Sequence, residues 1–109
     1  MQDQSWIELG RVTDVGLGEH YVYSTEIGNI MIINISGEFY GLDDICTHDG
    51  GPLSDGPLDA EAGTIACPRH GAKFDVKNGA ALTMPATKPT KTHEVKIDGD
   101  RVLVRLSDG

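Results

Sequence analysis

Cys46-Thr47-His48-Asp49-Gly50-Gly51-Pro52-Leu53 and Cys67-Pro68-Arg69-His70-Gly71-Ala72-Lys73-Phe74 are the two stretches around which this 109-residue chain is organised. Each supplies one cysteine and one histidine, in the pattern C-x-H, eighteen residues, C-x-x-H. They hold the only two cysteines of the chain. Both are rich in Gly and Pro, so they read as turns rather than as the interior of a helix or strand. Two turns at opposite ends of one excursion, each carrying a thiol and an imidazole, point to a four-ligand metal site.

Outward from these turns, the chain reads as β. Trp6 to Val12 is a short first strand, and His20 to Thr25 a second, rich in aromatic and β-branched residues. A turn at Glu26-Ile27-Gly28-Asn29 leads into Ile30 to Ile35, a nearly continuous apolar run that suits a strand buried on both faces. Ser36-Gly37 turns into Glu38 to Leu42. The excursion from about Asp43 to Ala80 interrupts this meander and holds both Cys-His turns. Inside it, Gly63 to Ala66 is a strand feeding Cys67, Lys73 to Val76 leads away from His70, and Lys77-Asn78-Gly79 is a turn. A loop from Pro85 to Pro89 returns to the main body. The chain closes with a hairpin, Thr92 to Ile97, Asp98-Gly99-Asp100, Arg101 to Leu106. No window has a helical period. The expectation is an all-β single domain over 1–109: a small antiparallel β-sandwich or barrel, its base formed by about 1–42 and 81–109, with an inserted cluster-binding subdomain at about 43–80.

Composition sets limits on function. The apolar share of 39% is below the usual value of about 45–50%, so the core is modest and a metal staple would help a loop-rich domain with 14 Gly. Two cysteines also permit a disulfide in a secreted domain. Met1 to Trp6, however, has no basic or apolar leader pattern, and Ile30 to Ile33 is too short to span a bilayer. The expectation is therefore a cytoplasmic protein with no membrane association. The formal charge is −8, and residues 12–68 carry ten acids and no Lys or Arg. Such a field repels phosphate backbones, which argues against nucleic acid and favours a protein partner with a basic face.

Two Cys and two His fit a closed tetrahedral zinc site. Zinc fingers, though, group their cysteines together and their histidines together, whereas each turn here mixes the types. Mixing suits a binuclear centre in which both thiolates hold one iron and both imidazoles the other, the ligand set of a Rieske [2Fe-2S] centre. On C-T-H-D-G-G-P-L and C-P-R-H-G-A-K-F-D the chain resembles the Rieske proteins, over essentially its whole length. The resemblance implies that Cys46 and Cys67 ligate the buried iron and that His48 and His70 ligate the outer one. It gives Gly50, Gly51 and Gly71 close approach to the sulfides and Pro52 and Pro68 rigid turns. It places Leu53 and Phe74 where they shield the cluster from water.

Two ferric ions, two sulfides, two thiolates and two neutral imidazoles sum to zero charge. Reduction is therefore easier than at a four-thiolate centre, and potentials lie at about −150 to +300 mV. The respiratory branch adds a disulfide and hydroxyl donors around the cluster. The matching positions here are Gly51 and Arg69, which cannot bridge, and Ala72 and Phe74, which have no donor. The resemblance therefore implies the low-potential, dioxygenase-type branch. That means a soluble monomeric ferredoxin taking one electron from a flavin-containing reductase and passing it to a terminal oxygenase, and not an enzyme by itself. Asp43, Asp44, Asp49, Asp55, Asp59 and Glu61 are expected to ring the histidine edge as an acidic docking surface. His20 and His93 read as surface residues, and Trp6, Tyr21, Tyr23 and Tyr40 as core or half-buried sheet residues. Alternatives are a small Rieske subunit of another redox enzyme, such as nitrite reductase, a Rieske protein of iron–sulfur assembly or redox sensing, and a zinc-stabilised binding module.

Overall fold

A computed structural model describes residues 6–26, 28–45, 52–68, 71–84 and 88–105. Among the described residues nine strands follow in chain order: β1 (Ile7–Arg11), β2 (His20–Thr25), β3 (Gly28–Ile35), β4 (Glu38–Asp43), β5 (Leu58–Asp59), β6 (Thr64–Ala66), β7 (Lys73–Asp75), β8 (Thr92–Asp98) and β9 (Arg101–Arg105). The expected β architecture is borne out. Among the described residues the only helical turns are two 3-10 turns, Val12–Asp14 and Leu53–Asp55, and no helix is long and apolar enough to cross a membrane.

The large sheet has the order β1-β9-β8-β4-β3-β2, and every pairing in it is antiparallel. Hairpins supply most of it. Ser36 and Gly37, both with positive φ, make the two-residue turn between β3 and β4, because two left-handed residues match the right-handed twist of the flanking strands. Ile30 to Asn34 are all buried, as a central strand covered on both faces requires. The sheet curls until its edges, β1 and β2, line opposite walls of one cleft formed by Ile7, Leu9, Tyr23 and Thr25. The Tyr23 hydroxyl donates to Asp14 across this seam at 3.1 Å. Burial, and then this bond to the carboxylate, push the Tyr23 phenol above its ordinary pKa.

The second sheet, β5-β6-β7, is inserted between β4 and β8 and lies within the stretch 43–80. β5 was not foreseen: it is two residues long, and Leu58↔Ile65 and Asp59↔Thr64 define it through its partner rather than through its own pattern. Two cores result. One joins the sheets, with Met31, Ile33 and Leu42 meeting Leu53, Ile65, Cys67, Ala72, Phe74 and Val76. The other lies inside the large sheet, around Val15, Ile30, Ile32 and Val102.

Several side-chain expectations are overturned. His93 is 6% exposed, because the Gly41↔His93 pairing sets it beside Asp43, whose carboxylate its Nε2 meets at 2.7 Å. His20 is half-buried and its Nε2 donates to the Ser54 carbonyl at 2.9 Å, so neither histidine is a free surface residue. Tyr21 is 51% exposed, edge-on to Tyr23 at 4.9 Å between ring centroids, because the β2 alternation turns it outward. Trp6 is half-buried as expected, under Lys96 and Arg105 at 5.1 and 5.0 Å from its ring.

Candidate metal centre

β6 is the middle strand of the small sheet and runs directly into Cys67, which is 2% exposed. The Cys67 N–H donates to the Ala72 carbonyl at 2.7 Å and the Gly71 N–H donates back to the Cys67 carbonyl at 2.9 Å. The chain therefore doubles back within five residues and enters β7, where Lys73 pairs with Ala66. Gly71 sits at φ +74 with open space beside it, so its requirement is conformational: an L side chain here is strained whatever room it has. The turn lifts a buried thiol to the end of a two-stranded ribbon.

The first stretch reaches the same place from the other side. Leu53 is fully buried in the core that also holds Cys67 and Phe74, so the described ends of the two Cys-His turns converge on one apolar cluster. Gly56 brings them into backbone contact. A Cβ on Gly56 would lie 1.7 Å from the Ala66 carbonyl oxygen and 3.1 Å from Pro68 Cδ. The Ala66 N–H donates to the Pro57 carbonyl at 3.1 Å, which locks the contact.

Cys46, His48 and His70 lie outside the described residues, as do Asp49, Gly50, Gly51 and Arg69. Among the described residues no group of three or more His, Cys, Asp or Glu can hold a metal. Cys67 is the candidate ligand among the described residues. A soft thiolate donor on a tight turn, backed by Leu53, Ile65, Phe74 and Val76 and closed to water, suits an iron–sulfur cluster. Ala72 and Phe74, the two positions without a hydroxyl donor, are both fully buried beside Cys67. These residues fit a low-polarity cluster pocket.

The described acids of the expected docking surface divide between two ends of the small sheet and two buried or paired positions. Asp43 is engaged with His93, and Asp44 is buried at 7% exposure, accepting from the Ser54 N–H at 2.7 Å and the Ser54 hydroxyl at 2.8 Å. Asp59 pairs with Thr64, at the end of β6 remote from Cys67, and Glu61 lies on the turn beyond it. Three residues of strand place that end about 10 Å away. Asp55, on the 3-10 turn next to Gly56, is the described acid of that group at the Cys67 end. Ser54 and Gly56 are residues near Cys67 that the sequence reading missed, and Asp44, read there as a docking acid, is instead buried against Ser54. Nothing in the order of the chain separates Asp44 from Asp43.

The sequence model of the Rieske [2Fe-2S] domain matches residues 5–103. The ferredoxin component of the naphthalene 1,2-dioxygenase system of Pseudomonas aeruginosa is 36% identical over 104 residues, covering 95% of this chain and 98% of that protein. Among solved structures, Sphingomonas yanoikuyae B1 ferredoxin superposes with a TM-score of 0.86 at 33% identity, covering 94% of this chain and 100% of its own. A chain from the complex of reduced oxygenase and oxidized ferredoxin in carbazole 1,9a-dioxygenase gives a TM-score of 0.85 at 29% identity, covering 94% of each chain. Buried thiol, doubled-back turn, apolar shell and two-sheet fold thus agree with the match along the sequence: this chain belongs to the Rieske [2Fe-2S] domain family, and its cofactor is a Rieske-type [2Fe-2S] cluster.

Proposed function

We propose that this chain is a soluble, cytoplasmic, monomeric one-electron carrier. In this reading it draws electrons from a flavin-containing reductase and delivers them to the terminal oxygenase of a ring-hydroxylating dioxygenase system. It is a single Rieske domain, with the base at about 1–42 and 81–109 and the cluster-binding part at about 43–80. Cys46 and Cys67 hold one iron, His48 and His70 the other. The cluster supplies a site that takes up and gives back one electron. The protein keeps Cys67 in a fixed turn, excludes water with Leu53 and Phe74, and leaves substrate chemistry to the acceptor. The observation that carries this reading is the relationship to ferredoxin components of dioxygenase systems, which extends over nearly all of both chains. Purified protein should be coloured and give a paramagnetic signal after dithionite, with a midpoint below roughly +100 mV for want of hydroxyl donors at Ala72 and Phe74. A colourless, silent, metal-loaded protein would refute it.

Among the described acids, docking charge at the Cys67 end then rests on Asp55; Asp49, beside His48 in the sequence, lies outside the described residues. Transient redox encounters are small, and steering sets their rate. Asp55→Asn is expected to lower the second-order rate of transfer to a dioxygenase-type terminal oxygenase a few-fold at low salt and to flatten its salt dependence. Asp59→Asn should leave both unchanged. Equal effects from the two variants, in stopped-flow measurements at low and high salt, would return the docking charge to a diffuse acidic field.

A further inference from the structure

We propose that Asp44 is a positioning residue of the metal centre. Its carboxylate fixes Ser54, so that the described residues on either side of the stretch 46–51, which carries Cys46 and His48, are held at a set separation. The proposal rests on the ligand assignment above and adds to it a residue that touches neither the cluster nor a partner.

A buried carboxylate is costly unless its oxygens are bonded. Among the described residues Asp44 meets that cost with Ser54: Oδ1 accepts from the Ser54 N–H and Oδ2 from the Ser54 hydroxyl. Two bonds to one residue, ten positions along the chain, fix register as well as distance. A one-residue slip on either side would leave the Asp44 carboxyl unpaired in the interior.

Both halves of this clasp are anchored to the large sheet. The Asp44 N–H donates to Asn29 at 3.0 Å, the Asp43 N–H to Lys91 at 2.9 Å, and the Thr90 hydroxyl to Ile45 at 3.3 Å. On the far side, the Ser54 carbonyl accepts from His20 Nε2, so Ser54 uses its N–H, its hydroxyl and its carbonyl together. Since a carbonyl only accepts, His20 carries its proton on Nε2. The next residues, Asp55 and Gly56, lead straight to the backbone contact with Ala66 and hence to Cys67. Through this chain of contacts the clasp relates one Cys-His turn to the other.

The test uses holo-protein. Loss of visible absorbance is followed in excess chelator, well below the unfolding temperature, alongside far-UV circular dichroism and the paramagnetic spectrum of the dithionite-reduced form. Asp44→Ala is expected to lose its cluster roughly tenfold faster than the parent and to broaden the spectrum, while the circular dichroism at the assay temperature stays unchanged. Ser54→Ala keeps the backbone bond and should fall between, at roughly threefold. Asp44→Asn can still accept from the Ser54 N–H and donate to its hydroxyl, and should stay near the parent. Parental bleaching rates and spectra in both alanine variants would overturn the proposal, as would bleaching that only follows global unfolding. If Asp44→Ala does not fold, the Ser54→Ala and Asp44→Asn pair decides by the same readouts. A parent protein with no visible absorbance or signal would overturn the cluster reading instead, an outcome distinct from a coloured parent with unaffected variants.

Discussion

Gly56→Ala is expected to yield protein with little or no cluster and to cost roughly 3 kcal/mol or more of stability, among the largest effects of any single methyl added to this chain. The cause is space rather than backbone conformation. Gly56 has φ −94, which alanine adopts freely. The added carbon would lie 1.7 Å from the Ala66 oxygen and 2.9 Å from its carbonyl carbon, both of them backbone atoms. Relief requires moving β6 away from the segment 53–57, which breaks the bond from the Ala66 N–H to Pro57 and detaches Leu53 from Cys67. Gly63→Ala is the control: Gly63 has φ +71 with nothing within 4 Å, so its alanine should cost only about 1–2 kcal/mol of backbone strain. Iron and sulfide content with thermal unfolding checks both. Cluster occupancy in Gly56→Ala matching that in Gly63→Ala would mean that the contact yields more easily than its geometry implies.

Gly56 also marks where sequence reading stops. Hairpins are local, so β2, β3, β4, β8 and β9 follow from β-branched runs and turn residues, and all were legible. The metal centre was legible in chemistry, because a thiol and an imidazole in each of two Gly- and Pro-rich turns have few other uses; of the four proposed ligands the described residues include Cys67. What was not legible depends on pairing between distant parts of the chain. The β4–β8 ladder puts His93 against Asp43 fifty residues away, and no local pattern announces it. Likewise Asp59 and Glu61 lie close to the first turn in sequence, but the direction of β5 against β6 carries them to the opposite end of the sheet. Asp44 looks like one more surface acid until Ser54 closes over it. Two of the basic residues near the C-terminal end are cross-strand partners: Arg101 meets Glu8 and Asp98, and Arg105 meets Glu94.

Phe74→Ala should be the most destabilising single truncation of the core, at about 3–5 kcal/mol, or roughly 15–30 °C in unfolding temperature for a domain of this size. Phe74 is fully buried and among the largest buried side chains, on the short strand that leads away from Cys67. It belongs to the core in which Met31, Ile33 and Leu42 of the large sheet meet Leu53, Ile65 and Val76. Removing the ring thus loosens the joint between the sheets and opens space beside the ligand turn. Phe39 provides the comparison, since it is only partly buried and packs against the other core, around Ile30, Ile32 and Val102. Phe39→Ala should lower the unfolding temperature less and leave the cluster's absorbance and its lifetime in chelator unchanged. Phe74→Ala should shorten that lifetime even at temperatures where its circular dichroism is native, because water gains access to Cys67 before the fold is lost. If both variants lose cluster only as they unfold, the aromatic ring acts through global stability alone. A shortened lifetime confined to Phe74→Ala would instead tie the joint between the two sheets to the dryness of the metal centre.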